Sequence, residues 1–393
     1  MISTPLTINQ LKIKNRIFKP AMSEQMADKH GNPKASLLSR LYRTWAQGGT
    51  GLLLSGNIMV DRDALGEPMN IILDEKSDLE PFTAWVNSAK TNGAAFFAQI
   101  NHPGKQVPKF LDSKPMGPSA IAIEGPLASG FNPPREMTEK DIKRVIQQFA
   151  TTAKLCKQAG FDGIELHGAH GYLINQFLSP RHNKRTDKWK NGELFLISVY
   201  RQVRAAVGGS FPIIIKLNSS DFEKGGYSET DAIGVMKMLE QEGIDAIEIS
   251  GGTYESQSMT GDGQPSGGYF LEFAKGARKE LTIPLIITGG FQSKQHMEAA
   301  LNDNIDMVGI GRPLILKPNL PIEIMQGSNE IYQNDMRRSR WNYLNIISML
   351  SWWESQMLRI AKGKQPNPKM HVFHAVIHAL THVGMKAFAP RRG

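Results

Sequence analysis

The sequence predicts an α/β fold of the (β/α)8 TIM-barrel type, and three observations predict it. Eight short apolar runs recur along the chain, capped helical patterns separate several of them, and polar or glycine-rich residues gather where the runs end. Several runs are apolar almost without interruption, as strands buried on both faces require. Eight strands alternating with helices are the pattern of a closed parallel barrel. A doubly wound open sheet is the alternative. It usually has fewer strands and opens on a G-x-G-x-x-G turn, which is not found near this N-terminus.

In chain order the runs are "RIFKPAM" (16–22), "TGLLLSGN" (50–57), "AAFFAQIN" (94–101), "FDGIELH" (161–167), "PIIIKLN" (212–218), "IDAIEIS" (244–250), "PLIITGG" (284–290) and "DMVGIG" (306–311). The helix after the third run opens on Thr138 with Asp141 three residues on and closes at Gly160; the helix after the fifth opens on Ser228 with Asp231 and closes at Gly243. A hydroxyl followed by an acid at the third helical position satisfies two free N–H groups, and glycine accepts the left-handed turn that ends a helix.

The 393 residues are 40% apolar and 21% charged, as in a folded globular chain. They suit one large barrel, residues 1–330, followed by a basic helical extension, residues 331–393. That extension holds ten Lys or Arg and two acids, a net +8, which leaves about +1 for the rest of the +9 chain. One cysteine, Cys156, excludes an intrachain disulfide and a Cys-based metal cluster, and its helical setting reads as a small core residue. No metal site and no nucleic-acid partner are expected. The N-terminus lacks a signal-peptide pattern and no 18-residue apolar stretch occurs, so the expectation is a cytoplasmic protein.

In such a barrel, chemistry sits at the C-terminal ends of the strands. No carboxylate pair lies at those ends, which argues against glycoside hydrolysis. Gly289 and Gly290 end the seventh run, and Gly311 with Arg312 ends the eighth. Glycines let backbone N–H groups approach an oxyanion, and barrels often hold a phosphate at this place. Asn57 and Gln99 can hydrogen-bond a heterocycle with donor and acceptor edges, and Lys216 can stabilise negative charge on it. An isoalloxazine has those properties. The fourth run ends in "HGAHGY", with His167, His170 and Tyr172 presented from one strand end and the loop beyond it.

Taken in register, "LKIKNRIFKPAMSEQMAD", "LLLSGNIMVD", "FFAQINHPGKQ", "IELHGAHGYLINQFLSPRHNKRTD", "IIIKLNSSDF", "ISGGTYE" and "IDMVGIGRPLILKP" resemble the Old Yellow Enzyme family, the NADH:flavin oxidoreductase/NADH oxidase family, over roughly residues 5–320. The resemblance implies non-covalent FMN, NADH or NADPH as reductant, and a small enone-type substrate. It implies that Ala21, Met22 and Ser23 line the flavin and that Asn57 and Gln99 bond its pyrimidine edge. Lys216 then stands near N1, where relatives often have arginine, and Gly289, Gly290, Gly311 and Arg312 hold the phosphate. His167 and His170 would clamp the substrate carbonyl and Tyr172 would protonate the neighbouring carbon.

Three departures from the family pattern stand out. Ser23 replaces a usual Thr or Cys. Gln25 stands where relatives with that cysteine often have tyrosine. The 249–269 loop is long and glycine-rich, a candidate lid. Relatives acting on dienoyl thioesters or amines usually carry a cysteine-bound iron–sulfur cluster, which one cysteine cannot supply. A flavin NADH oxidase or redox module, with a membrane- or partner-binding tail and no ene-reductase role, is the alternative. The tail places His371, His374, His378 and His382 on one helical face. Helices packed on the barrel or on a second subunit are the plain reading; peripheral contact with an anionic membrane is the sharper one.

Overall fold

A computed structural model describes residues 1–111, 114–125, 127–255, 268–329 and 342–371, together with 373 and 377. Eight parallel strands, β1 (Ile17–Lys19), β2 (Leu52–Met59), β3 (Ala95–Asn101), β4 (Gly163–Gly168), β5 (Ile213–Asn218), β6 (Ala246–Ser250), β7 (Leu285–Thr288) and β8 (Met307–Gly309), pair in sequence order. Pairing of β8 with β1 and of β1 with β2 closes the ring. This is the (β/α)8 barrel the apolar runs predict.

The helices α1 (Ala35–Gln47), α2 (Glu80–Ala89), α3 (Glu139–Ala159), α4 (Leu173–Leu178), α5 (Gly192–Val207), α6 (Glu229–Glu242), α7 (Leu271–Arg278), α8 (Lys294–Asn302), α9 (Arg312–Leu316) and α10 (Leu320–Met325) follow the strands. Both sequence-read capping boxes are present, Thr138 with Asp141 on α3 and Ser228 with Asp231 on α6, and both helices end on a left-handed glycine. Cys156 is buried on α3, in the main core, and burial pushes its thiol up.

Inside the barrel, side chains alternate along each strand, so every second residue points to the axis. The lowest layer is dry. Phe18, Leu52, Leu54, Ala95, Phe97, Ile214, Ala246, Ile286 and Met307 form one cluster. Leu6, Ile8 and Ile13, from an N-terminal hairpin, join it. Gly163 leaves room for the Phe97 ring, which would lie 2.6 Å from any Cβ placed there. Two residues further along the strands the interior turns polar: Gln99, Glu165, Lys216, Glu248 and Thr288. Apolar floor and polar upper layer together aim the chemistry at the strand ends.

The C-terminal extension contains a helix, α11 (Asn342–Ala361), packed against α1 and α9. Trp352, Trp353, Met357, Leu358, Ile360 and Ala361 are buried in the main core. The chain then folds back: the Trp352 Nε1–H donates to the Met370 carbonyl at 2.8 Å, and Gln356 bonds the Asn367 backbone in both directions. No helix among the described residues is long and apolar enough to cross a membrane. His374, His378 and His382 lie outside the described residues.

Trp352→Ala should therefore destabilise the whole barrel, by about 3–5 kcal/mol for a buried Trp in a core. A urea midpoint that falls without a change in slope checks this. An unchanged midpoint would mean that α11 is not part of the cooperative unit.

Candidate active site at the barrel mouth

The fourth strand delivers its side chains through a tight turn. Ala169 leads into His170 and Gly171, both at positive φ (60° and 75°). Such a conformation is uncommon for a residue with a Cβ, and surrounding bonds must hold it. They do. The His170 N–H donates to Asn218 Oδ1 at 3.1 Å and the Gly171 N–H to Asn175 Oδ1 at 2.7 Å. Gln106 Nε2 reaches the His170 carbonyl at 2.8 Å, and Gln176 Nε2 reaches the Gly171 carbonyl at 2.7 Å. Behind them Asp221, fully buried, accepts from Asn175, Asn218, Ser179 and the Tyr227 backbone. A buried carboxylate with four donors locks β5 to α4.

The turn brings His167, His170 and Tyr172 together. The His167 ring centroid lies 5.1 Å from that of His170 and 4.8 Å from that of Tyr172. His167 Nδ1 accepts from the Ala169 N–H at 3.4 Å, which leaves Nε2 to carry the proton. His170 Nε2 sits 2.7 Å from Ser250 Oγ at the end of β6. The Tyr172 hydroxyl lies 3.0 Å from that of Tyr254. Burial, then His170 and Lys216, hold the His167 imidazole well below its usual range. Burial and then Lys216 bring His170 down to about 3. Burial, then Tyr254 and Glu67, push the Tyr172 hydroxyl well up. All three groups therefore enter at neutral pH as uncharged hydrogen-bond donors.

The other sequence-read residues surround them. Asn57 pairs in register with Gln99, and the Asn57 Oδ1 atom is buried without a partner. Gln99 donates from Nε2 to Glu165 Oε1 at 2.7 Å, and Lys216 Nζ donates to Glu248 Oε1 at 2.6 Å. Ala21 and Met22 line the end of β1, where a Cβ on Gly311 would lie 3.3 Å from the Met22 sulfur. Gly289 and Gly290 have φ of 104° and 81° and lie under the Tyr269 ring; added Cβ atoms would come within 2.8 and 3.0 Å of it. Gly311 precedes the short α9, and Arg312 is its first residue.

Several site residues were not read from the sequence. Ser23 Oγ hydrogen-bonds Glu67, from the loop after β2. Gln25 Nε2 donates to Glu354 on α11 at 2.7 Å. Burial and then the Glu67 charge push the Glu354 carboxyl up to about 8, and burial followed by Glu24 raises Glu67. Glu165 and Glu248, both fully buried, lie one layer below the strand ends. The strand alternation marks that pair: Glu165 stands two residues before His167 and Glu248 two before Ser250, so each shares a face with a residue of the mouth.

The depressed imidazoles have a consequence for stability. The unfolded chain takes up protons below about pH 6.5 that the folded site refuses. Their contribution is fully present above that pH and is lost as pH falls toward 3, by up to about 1.4 kcal/mol per pH unit for each ring. Urea unfolding from pH 7 down to 4.5 should show a shallower loss in the His167→Asn, His170→Asn double variant than in the parent. Equal slopes would mean that the rings take up protons freely in the folded protein.

The family model described as "NADH:flavin oxidoreductase / NADH oxidase family" matches residues 2–330. A curated relative, an NADH-dependent flavin oxidoreductase of Neonectria sp. (strain DH2), is 35% identical over 359 residues, spanning 81% of this chain and 46% of its own. The solved 2-naphthoyl-CoA reductase in complex with 2-naphthoyl-CoA superposes with a TM-score of 0.78 at 28% identity, over 83% of this chain and 52% of that one. An old yellow enzyme homologue from Zymomonas mobilis has the same fold, with a TM-score of 0.71 at 22% identity over 85% of this chain and 94% of its own. The chain thus spans about half the length of the first two.

Proposed function

Because this chain belongs to the NADH:flavin oxidoreductase / NADH oxidase family, the Old Yellow Enzyme family of FMN-dependent NAD(P)H oxidoreductases, we propose that it reduces the activated C=C bond of an α,β-unsaturated carbonyl. The observation that carries this reading is the uncharged donor trio His167, His170 and Tyr172, gathered on one strand end and its turn.

The mouth fits FMN on three counts. The buried Asn57 Oδ1 lacks a partner, and Gln99 beside it keeps a carbonyl oxygen to offer, so the pair suits a ring edge that alternates donors and acceptors. Lys216 brings a cation to within one residue of His167 on the neighbouring strand. Gly290, Gly311 and Arg312 would hold the phosphate, while the Gly289 N–H already donates to the Gly309 carbonyl and the Tyr269 ring packs on both glycines. Ala21, Met22 and Ser23 would line the ring. When bound, FMN supplies the hydride that NADH or NADPH has given it.

The chain's own groups handle the rest. His167 and His170 hydrogen-bond the substrate's carbonyl oxygen. Hydride arriving at the β-carbon builds enolate charge on that oxygen, and donors already in place stabilise it by about 3–4 kcal/mol each in favourable cases. Tyr172 gives a proton to the α-carbon, with the Tyr254 hydroxyl beside it to pass a proton back. The carboxyls of Glu67 and Glu354, already pushed toward their neutral forms, offer no counter-charge to a cationic substrate, which favours an uncharged acceptor.

Purified protein should release stoichiometric FMN on acid treatment; colourless protein that takes up no FMN would sink the reading. His167→Ala with His170→Ala should cost several kcal/mol in anaerobic reoxidation of the reduced enzyme by an enone, while reduction by NAD(P)H stays intact. Unchanged reoxidation would remove the pair from the role of carbonyl clamp.

A further inference from the structure

Below the mouth lies a hydrogen-bond chain whose direction is fixed by one residue. Glu248 Oε1 accepts from Lys216 Nζ at 2.6 Å and from Thr288 Oγ1 at 2.6 Å. Glu165 Oε1 accepts from Gln99 Nε2 at 2.7 Å. Both glutamates are fully buried, and each keeps a second oxygen, Oε2, with no donor. Both carboxyls belong to the one polar layer of the barrel interior that also holds Gln99, Lys216 and Thr288, and the Glu248 charge acts on Glu165. Two ionised carboxylates there would leave two oxygens without donors, one lysine and a buried net charge of about −1, which is costly. One proton between them removes the charge and supplies the missing donor.

We propose that Glu165 and Glu248 hold a single proton between them, and that this pair positions Gln99 and Lys216 for the cofactor's pyrimidine edge. It rests on the reading that FMN binds at this mouth. With the proton directed from Glu165 to Glu248, Glu165 Oε1 is left purely an acceptor. Gln99 must then turn its amide nitrogen down to Glu165, and its carbonyl oxygen is free for the cofactor. Glu248 is the terminal acceptor of three donors, and its charge partly cancels that of Lys216. Lys19 on β1 also acts on this layer: its charge interacts with both Glu248 and Lys216. Burial and then the Glu248 charge raise Glu165 well above the carboxylate range, in keeping with this assignment.

Glu165→Gln reproduces a protonated acid: its oxygen accepts from Gln99 and its amide donates to Glu248. Glu165→Ala removes both bonds. In Glu248→Gln the new amide donates to Glu165, which then takes the negative charge, away from Lys216. Infrared spectra of the FMN-loaded protein should show a buried carboxylic-acid carbonyl band that disappears in Glu165→Gln and in Glu248→Gln. FMN affinity should change less than about twofold in Glu165→Gln and fall at least about tenfold in Glu165→Ala. Glu248→Gln should tighten reduced over oxidised FMN by at least about tenfold, which raises the two-electron potential by about 30 mV.

A parent protein without the acid band overturns the shared proton. A tenfold loss of FMN in Glu165→Gln, or an unmoved potential in a folded Glu248→Gln, overturns the positioning role. Should Glu248→Gln fail to fold, the band lost between parent and Glu165→Gln, with the FMN affinities of the Gln and Ala variants at position 165, still decides. If the parent takes up no FMN, the functional reading fails, while loss of one acid band from FMN-free Glu165→Gln, relative to the FMN-free parent, still decides on the proton.

Discussion

The upper half of this barrel depends on one buried ion pair, Lys216 with Glu248. Both side chains are almost wholly removed from water, and such a pair seldom stabilises a fold by itself, because desolvation offsets most of its attraction. Here additional donors share the Glu248 carboxylate, and the pair's effect reaches upward. Lys216 pairs in register with His167, and its charge works against protonation of both histidines. Burial first, and this cation below the mouth after it, keep the imidazoles neutral, so they donate hydrogen bonds without carrying charge into a desolvated place.

Positioning is the second constraint. A histidine at positive φ costs of order 1 kcal/mol or more and persists only where the surroundings determine it. Asn218, Asn175, Gln106 and Gln176 each hold one backbone group of the His170–Gly171 turn, and Asp221 fixes the first two. The strain is therefore met by bonds that come from three separate stretches of chain. It gives two ring systems and a phenol a common focus before any substrate arrives, which is the condition under which donors stabilise developing charge most.

How much of this was legible in the sequence varies with the range of the interaction. The eight strands were, because burial on both faces demands apolar runs, and the helix ends of α3 and α6 were, because capping is local. His167, His170 and Tyr172 lie within six residues of one another and read as a group. Glu165 and Glu248 were hidden by their setting: "GIEL" and "AIEI" look like strands interrupted by single charges, and only the inward alternation shows both glutamates under the mouth. Glu67 and Glu354 could not be found locally at all, since Gln25 and Glu354 meet across 329 positions. The net positive charge of the tail was legible but its place as a wall of the site was not: α11 carries one Glu and one Arg, and nothing in its own pattern names the strand end it covers.

The charges at the mouth form a sequence of layers that nearly cancels. Lys216 is matched by Glu248; Glu165 is driven toward its neutral form; the imidazoles and Tyr172 are neutral; Glu67 and Glu354, at the rim, have raised affinities for their protons. In a desolvated site of this kind, a charge that appears during reaction meets no pre-existing field strong enough to compete for the donors. In the proposed reaction the hydrogen bonds of His167 and His170 would then be weakest to a neutral carbonyl and strongest to an enolate. That difference between the two states is what lowers a barrier, whereas equal binding of both would not. Near-neutrality is thus a working part of the site, and burial, with the Lys216–Glu248 pair beneath it, maintains it.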